Sequence, residues 1–306
     1  MTRLHQLCPE LPHVALGEGP TPVREALGLW IKDESGYGTA WGGNKVRKLE
    51  WILPDAKRRG KRTILTFGAL ATNHGLATAL YAREQGLSCA LALVDQPVDD
   101  HVRATVERLR ASGATLHFTH TKARTAAAVP WLLVRHRFPY VLPAGGSSAV
   151  GVLGWVEGAL ELAEQVREGV FPEPSHVICA VGTGGTAAGL LLGLRIAGLR
   201  TKVLGVVVND KLKLDHPTLM KLARRSARLL RRRGAAEVPD PDPSQLMVTR
   251  DFLGRGYGHP TPESEAALAR AADIGLDPVY TAKAMAAGLA FEGEGPLLFL
   301  HTHGPR

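Results

Sequence analysis

Residues 176–208 read HVICAVGTGGTAAGLLLGLRIAGLRTKVLGVVV and contain the pattern that decides the fold. An apolar run (176–181) leads through a glycine-rich turn into an apolar segment of helical length (186–197), and a second β-branched run follows (202–208). Short apolar runs bounded by glycine favour buried strands. A strand, a helix and a second strand in this order are typical of a βαβ unit with parallel strands.

The same alternation occurs in the first half of the chain. The predicted strands are TILTFGA (63–69), CALALV (89–94) and ATLHFTH (114–120), and the predicted helices are HGLATALYAREQ (74–85) and DDHVRATVERLRAS (99–112). Gly86, Gly113 and Gly198 each stand where glycine commonly ends a helix. The sequence therefore predicts an α/β fold of mostly parallel sheets with helices on both faces.

The composition is that of an ordinary globular protein. The 306 residues are 45% hydrophobic and 22% charged, and no apolar stretch approaches the roughly 18 residues of a membrane span. The first residues, MTRLHQLCPELP, contain no apolar segment, so we expect neither a signal peptide nor a membrane anchor. Three cysteines without a CxxC pair favour a cytoplasmic location and argue against a disulfide framework or a metal site.

The net charge of +8 is compatible with binding to nucleic acid, with binding of an anionic substrate, or with neither. Basic residues are densest in RRSARLLRRRG (224–234), where one helical face carries Arg224, Arg228, Arg231 and Arg232. No aromatic residues are interleaved for base stacking, so we interpret the segment as a solvated amphipathic helix and expect no nucleic-acid binding.

Three turns that follow predicted strands contain unusual residues, and ligands bind at such places in parallel sheets. The turn in VGTGGTAAGL (181–190) can cradle a phosphate, because its glycines allow close approach and the next helix offers free N–H groups. It lacks the GK[ST] of a P-loop. It fits G-x-G-x-x-A at Gly182, Gly184 and Ala187, so dinucleotide binding is an alternative, as is a tight turn without a ligand.

The other two turns are FGALATNHGLATA (67–79) and PAGGSSAVGVLG (143–154). Thr72 or Asn73 is a natural N-cap, and the same turn could hold a carboxylate on its N–H groups. His74 is either a residue of the helix start or a catalytic group. The glycines and serines of the third turn are also explained by a well-capped helix.

A fourth stretch, WGGNKVRKLE (41–50), joins two glycines and an asparagine to three basic residues. Lys45 directly follows the flexible turn and is our candidate for chemistry. Arginine stays protonated and cannot form an imine, which excludes Arg47 as the reactive amine. We expect Arg47 and Lys48 on the helix surface, or at most as support for the local electric field.

Taken together, seven segments resemble, in order, the pyridoxal phosphate (PLP)-dependent family that contains D-cysteine desulfhydrase and 1-aminocyclopropane-1-carboxylate (ACC) deaminase. They are GGNKVRKLE (42–50), GALATNHGLATA (68–79), PAGGSSAVGVLGWVEGALEL (143–162), VGTGGTAAGL (181–190), YGHPTPES (257–264), LDPVYTAKAM (276–285) and FLHTHG (299–304). The resemblance implies the two-domain tryptophan-synthase-β-like fold. GGSSA and DPVYTAKAM are more similar to the D-cysteine desulfhydrase branch.

The resemblance also implies roles for single residues. Lys45 would form the Schiff base with PLP, Asn73 would contact the ring hydroxyl, and Thr281 would face the pyridine nitrogen, where some members have glutamate. Further cofactor contacts are implied for Asn44, Gly182, Thr183, Gly184, Gly185, Thr186 and Thr302. A helix N-terminus with these hydroxyls could hold a phosphate without a lysine. The implied substrate-binding residues are Thr72, Asn73 and His74, and the implied catalytic residues are Lys45, Thr72, Tyr257 and Tyr280.

The chain departs from the family at residues 71–76, where the usual Q-S-N-H-x-R is replaced by ATNHGL. Thr72 keeps a hydroxyl but adds a methyl group, which we expect to crowd the pocket, and the arginine is lost. His303 stands where the family has glycine. We interpret His301 and His303 as pocket lining or structure, because no third metal ligand is evident.

The resulting prediction is a PLP-dependent lyase or deaminase that converts a small amino acid, first D-cysteine, to pyruvate and ammonia by α-proton removal and β-elimination. Alternatives are ACC ring opening to 2-oxobutyrate, elimination from cysteate, and a PLP-binding protein without turnover. By resemblance, residues 1–45 with 149–306 form a larger PLP-binding domain and 46–148 a smaller one, and the protein is a homodimer.

Overall fold

The computed structural model describes residues 3–302 and contains two β-sheets with helices packed around them. The strands are β1 (Val23–Ala26), β2 (Leu29–Asp33), β3 (Thr63–Ala69), β4 (Ser88–Val94), β5 (Thr115–His120), β6 (Tyr140–Leu142), β7 (His176–Val181), β8 (Lys202–Val207), β9 (Leu246–Thr249) and β10 (Leu297–His301). The α-helices are α1 (Arg3–Leu7), α2 (Asn44–Arg58), α3 (Asn73–Glu84), α4 (Asp100–Ala111), α5 (Lys122–Arg135), α6 (Leu153–Arg167), α7 (Gly185–Ala197), α8 (His216–Arg232), α9 (Pro262–Arg270) and α10 (Thr281–Leu289).

The α/β prediction is confirmed, and each strand and helix predicted within 63–120 and 176–208 is present to within about a residue. The helix predicted over 224–234 begins eight residues earlier, at His216. Gly86, Gly113 and Gly198 have φ angles of 69°, 81° and 76°, the left-handed backbone that favours glycine after a helix. Strands β1, β2, β6, β9 and β10 were missed from the sequence, because three to five residues carry too little periodicity to be recognised.

The larger sheet has the strand order β1-β2-β10-β7-β8-β9 and is parallel except for the β1–β2 pair. Alternate residues of β7 enter opposite cores: Val177 and Cys179 join α6 and α7, whereas Ile178 packs with α9 and α10. Both faces of this parallel sheet are therefore covered, as its backbone requires.

The smaller sheet is parallel throughout, with the order β5-β4-β3-β6. Helices α2, α3 and α4 contribute to the core on one face, and α5 packs on the other through Leu132. All four strands lie within residues 63–142. The predicted division at 45/46 and 148/149 stays a prediction; its first boundary falls inside the first turn of α2.

Helix α8 is amphipathic as predicted, with Arg224 and Arg228 exposed and Ala227 and Leu230 buried. Across residues 3–302, no helix is long and apolar enough to cross a membrane. The same residues contain no group of three or more histidine, cysteine or acidic side chains placed to share a metal ion.

Candidate active site

The turn before α2 fixes Lys45 at a junction of several elements. Gly43 has φ 100°, which lets the chain turn sharply into the helix. The Asn44 N–H donates to the carbonyl of Thr302 (3.0 Å), and its Nδ2 donates to Thr186 Oγ1 (3.2 Å). Asn44 Oδ1 in turn accepts a hydrogen bond from Lys45 Nζ (2.7 Å). The Lys45 amine therefore lies where the starts of α2 and α7 meet the end of β10.

The surroundings of Lys45 favour a neutral amine. Its side chain is half-buried. Burial lowers the pKa of Lys45 to about 8, while the negative charge of Asp277 acts in the opposite direction. About one molecule in ten would then carry the neutral amine at pH 7, compared with far fewer for an ordinary lysine.

The expectation that Arg47 and Lys48 lie on the helix surface is wrong. Both side chains are 1% exposed, because α2 is packed between α3 of the smaller sheet and α6 of the larger one. Arg47 donates to Glu34 (2.6 and 2.8 Å) and to Glu161 (2.9 Å). Lys48 Nζ donates to the carbonyl of Gly145 (3.0 Å).

The turn after β7 forms the start of α7, a 13-residue helix that begins without a side-chain cap. Gly184 adopts φ 85°, a left-handed conformation that suits glycine. Ser147, from the turn after β6, accepts a hydrogen bond from the Gly185 N–H (3.1 Å) and shares one with Thr183 (2.7 Å). The predicted glycine–threonine turn and the third turn, after β6, thus meet at one helix N-terminus.

Lys48 places its side-chain amine at this cradle. A Cβ atom at Gly185 would lie only 2.7 Å from Lys48 Nζ and 2.5 Å from Ser147 Oγ, so a side chain there would displace both groups. Burial, followed by the charge of Lys45, holds the pKa of Lys48 well below its ordinary value. No carboxylate among residues 3–302 forms an ion pair with it. A lysine and a helix N-terminus facing the same space fit a phosphate dianion.

Sequence reasoning assigned no role to Lys48 or Ser147, and the expectation that a phosphate is held here without a lysine stays a prediction. The signal for Lys48 was its spacing: residues three apart in a helix lie on the same face, which places Lys48 beside Lys45. Ser147 had no comparable signal, because its partners Thr183 and Gly185 are 36 and 38 residues away.

Thr72, one of the two residues predicted as N-cap, is the N-cap of α3. Its Oγ1 accepts a hydrogen bond from the Gly75 N–H (3.1 Å). A Cβ atom added to Gly75 would lie 2.4 Å from the methyl carbon of Thr72. A Cβ atom added to Gly68 would lie 2.6 Å from Thr72 Oγ1. The methyl group is thus packed against Gly68 and Gly75. The expected crowding of the pocket is relieved by these two glycines.

His74 is 4% exposed, and its Nε2 atom lies within hydrogen-bond distance of Thr66. Thr66 donates its single hydroxyl proton to the carbonyl of Leu142 (3.0 Å), so it can only accept from His74 Nε2 (3.2 Å). The His74 Nδ1 atom is then a lone-pair acceptor, and it has no partner among the described residues. Burial, and then the charges of Lys45 and Lys48, lower the pKa of His74 well below its ordinary value, so the ring is neutral. Asn73 is the first residue of α3.

Tyr257 and Tyr280 are hydrogen-bonded to each other through their hydroxyl groups. A Cβ atom at Gly182 would lie 3.0 Å from Tyr280 Cε1, so this ring lies against the phosphate-type cradle. Burial is the main cause that raises the pKa of both tyrosines, which keeps both protonated at neutral pH. Because one hydroxyl donates to the other, one proton of the pair remains for an outside acceptor.

Asp277 organises the start of α10. Its carboxylate accepts from the N–H groups of Tyr280 (2.7 Å) and Thr281 (3.0 Å) and from Thr281 Oγ1 (2.7 Å). Thr281 is fully buried, and its only hydroxyl proton is donated to this carboxylate. Sequence reasoning assigned no role to Asp277, although it is the acid whose charge acts on Lys45. A contact of Thr281 with a ring nitrogen stays a prediction.

The end of β10 also contributes to the site. Thr302 is 4% exposed and holds Asn44 through its carbonyl oxygen. The buried His301 has its Nδ1 atom 3.1 Å from Asp33 Oδ1, which fits the interpretation of His301 as a structural residue. His303 lies outside the described residues.

The site therefore combines a weakly basic lysine amine, an anion cradle with its own lysine, and a pair of protonated tyrosines. Contacts within it link Asn44 to Thr186 and Thr302, and Tyr280 to Gly182. A lysine amine of lowered pKa can bond to a carbonyl carbon, and the cradle can hold a phosphate on the same molecule.

Comparison with known proteins agrees with this chemistry. The family model described as "Pyridoxal-phosphate dependent enzyme" matches residues 14–302. A solved structure described as an ACC deaminase homologue is 27% identical, with a TM-score of 0.83, and the match covers 99% of this chain and 94% of that one. A threonine deaminase from T.th. is 22% identical (TM-score 0.62; 94% and 92% covered). A pyridoxal 5'-phosphate-dependent aspartate racemase is 16% identical (TM-score 0.63; 93% and 90% covered). The last two similarities establish the shared fold alone.

Proposed function

Because the chain belongs to the family of pyridoxal-phosphate dependent enzymes, we propose that it is a lyase or deaminase that releases ammonia from a small amino acid. The observation that carries the proposal is the half-buried Lys45 amine of lowered pKa beside a phosphate-type cradle. The preferred reaction resembles that of D-cysteine desulfhydrase: D-cysteine and water give pyruvate, ammonia and hydrogen sulfide.

The residues present fit PLP. In this proposal, the turn from Gly182 to Thr186 holds the phosphate, together with Lys48 and Ser147. A Cβ atom at Gly185 would fill the cradle, and the cradle's lysine has no carboxylate partner among residues 3–302. A dianion supplies the missing negative charge and would make the protonated form of Lys48 favourable again.

When bound, PLP withdraws electrons from the α-carbon of an attached amino acid. The chain supplies the remaining groups. Lys45 Nζ is the amine that bonds to the cofactor's carbonyl carbon and the base that takes the α-proton. The free hydroxyl proton of the Tyr257–Tyr280 pair is placed to protonate or hold a leaving group. Thr72 and Asn73, at the start of α3, lie on the substrate side in this proposal, with the neutral His74 behind them.

The elimination breaks the bonds of D-cysteine to its α-proton and to its sulfur. The α-proton leaves to Lys45, the carbon–sulfur bond breaks, and the sulfur departs with a proton as sulfide. Water then replaces the nitrogen of the three-carbon product and releases ammonia and pyruvate.

A second candidate is ring opening of ACC with water to 2-oxobutyrate and ammonia. Two observations favour it: the similarity to a structure described as an ACC deaminase homologue, and the hydrogen-bonded tyrosine pair, which could act on a ring carbon. We rank ACC ring opening second because position 281 is a threonine, where some family members have glutamate. A third candidate is a PLP-binding protein without turnover, which is favoured by the replacement of the family's usual residues at 71–76.

The function is tested by incubating the PLP-loaded protein with D-cysteine, L-cysteine, ACC and cysteate. Pyruvate, 2-oxobutyrate, sulfide and sulfite are measured separately. Pyruvate with sulfide from D-cysteine supports the preferred reaction, and 2-oxobutyrate from ACC supports the second. Absence of every product, with PLP bound, would leave the third candidate.

Attachment of PLP to the protein should depend on pH through Lys45. The neutral amine is the reactive form, so the attachment rate should rise about tenfold per pH unit and level off above about pH 8, where burial places the pKa of Lys45. Stopped-flow absorbance after mixing cofactor-free protein with PLP measures this rate. Asp277→Asn should move the plateau to lower pH, because Asp277 raises the pKa of Lys45. A plateau near the pKa of free lysine would contradict this account.

Lys48→Met should weaken PLP binding by about 10- to 100-fold, since a hydrogen bond to a charged group contributes about 1.5–3 kcal/mol. Equilibrium dialysis of the cofactor-free variant measures the dissociation constant. Pyridoxal, which lacks the phosphate, should bind the variant and the wild type equally well. Lys57→Met, an exposed lysine on the same helix, serves as the control. An equal loss for PLP and pyridoxal would show that Lys48 does not act on the phosphate.

A further inference from the structure

The loop that presents Tyr257 is rich in glycine. Within Leu253–His259, three glycines adopt left-handed backbone: Gly254 (φ 58°), Gly256 (φ 113°) and Gly258 (φ 86°). Glycine gives an unfolded or loosely held chain the largest choice of conformations. A loop of this composition places a tyrosine accurately only if other parts of the protein hold its backbone.

Lys283, on α10, holds the loop from inside. Its side chain is 0% exposed, and its Nζ donates to the carbonyl oxygens of Leu253 (2.7 Å) and Gly256 (3.5 Å). Within the described part of the chain, no carboxylate is in ion-pair contact with it. Burial lowers the pKa of Lys283, and the more distant charge of Asp210 opposes this.

A buried ammonium group that is bound only to carbonyl oxygens is costly compared with an apolar side chain of similar size. Methionine would fill the same volume in the core without this cost. We therefore explain the buried ammonium group by its hydrogen bonds. Its acceptors are the backbone carbonyls of Gly256 and Leu253, one and four residues before Tyr257.

Asp210 holds the same loop from the other side. Its Oδ1 accepts a hydrogen bond from the Tyr257 N–H (2.9 Å). A Cβ atom at Gly256 would lie 2.9 Å from this oxygen, so the loop passes directly over the carboxylate. Both polar groups of the Gly256–Tyr257 peptide are thus bound by charged side chains, its carbonyl by Lys283 and its N–H by Asp210.

We propose that Lys283 is a positioning residue of the active site, which fixes the 253–257 backbone so that the Tyr257 hydroxyl meets that of Tyr280. This inference rests on the proposed role of the tyrosine pair in the reaction. It gives a function to the lysine of the LDPVYTAKAM segment, which touches neither Lys45 nor the phosphate cradle in any described hydrogen bond.

A double-mutant cycle distinguishes a role of Lys283 in positioning Tyr257 from a role in stabilising the core. Lys283→Met should lower kcat/KM by about 10- to 100-fold, the effect of displacing a reacting group by about 1 Å. In a Tyr257→Phe background the same change should cost less than about threefold, because the hydroxyl that Lys283 places is already absent. Equal losses in both backgrounds would overturn the proposal.

A second measurement does not depend on turnover. Ultraviolet absorbance follows tyrosine ionisation with pH, and subtraction of the curve of the Tyr257→Phe/Tyr280→Phe double variant isolates the hydrogen-bonded pair. Burial raises the pKa of Tyr257 in the wild type, and Lys283→Met should move it back towards the ordinary value as the ring leaves its site. An unchanged titration would overturn the proposal, even if none of the tested amino acids is a substrate.

Two further variants keep the test decisive. Lys221→Met, on an exposed position of α8, should change neither the cycle nor the titration. If Lys283→Met does not fold, Lys283→Gln replaces it, since its amide can still donate to one carbonyl, and it should show the same non-additivity with a smaller effect. Failure of all amino-acid substrates would count against the proposed function, while the tyrosine titration would still decide the role of Lys283.

Discussion

Lys45→Ala should abolish covalent attachment of PLP and lower turnover by on the order of a thousandfold or more. The variant loses the amine that bonds to the cofactor and, in our proposal, the base that removes the α-proton. No neighbour can replace it: Lys48 Nζ is turned towards the carbonyl of Gly145, and Arg47 is fully engaged with Glu34 and Glu161. The phosphate cradle is unchanged, so PLP should still bind reversibly.

The measurement is borohydride reduction of PLP-loaded protein, followed by mass spectrometry of the peptide that contains residue 45. Wild-type protein should carry the reduced cofactor on Lys45, and the variant should carry none. Lys57→Ala is the matched control, because Lys57 lies on the same helix but is exposed and bonds only to Gln85. Cofactor trapped on another lysine in wild-type protein would show that Lys45 is not the attachment site.

Arg47→Met should lower the free energy of unfolding by about 3–5 kcal/mol, the usual loss when one partner of a buried ion pair is removed. Arg47 lies within a buried cluster of two cations and two carboxylates. Lys32 Nζ and Arg47 Nη2 both donate to Glu161 Oε1, at 2.7 and 2.9 Å, and Arg47 also binds Glu34. Burial alone would raise the pKa of Glu161, but the charges of Arg47 and Lys32 hold it below its ordinary value. Removal of Arg47 leaves two buried carboxylates against one cation.

Urea unfolding of the cofactor-free variant measures this loss. Arg58→Met is the control on the same helix: Arg58 pairs with Asp55 near the surface, and exposed pairs contribute about 1 kcal/mol or less. The double variant Arg47→Met/Glu34→Gln should lose less than the sum of the two single changes, since it removes the unpaired charge as well. A loss for Arg47→Met no larger than for Arg58→Met would contradict the role of the cluster.

The sequence by itself determined the alternation of strands and helices, the glycines that end helices, and the turns at which the site is built. These features follow from local rules: apolar periodicity over about ten residues, and backbone angles that glycine adopts most readily. The turn at 182–184 and the approach to Lys45 were recognised for that reason. The resemblance to the PLP family agreed with the match of the family model to residues 14–302.

Only the tertiary structure decided which charges are buried. Three basic residues within 45–48 suggest a solvated helix, but the partners of Arg47 and Lys48, Glu161 and Gly145, lie 114 and 97 residues further along the chain. In the same way, Ser147 meets Gly185, and Gly75 makes room for the Thr72 methyl group. The burial of a side chain depends on which distant elements pack over it, and no local pattern in the sequence specifies those elements.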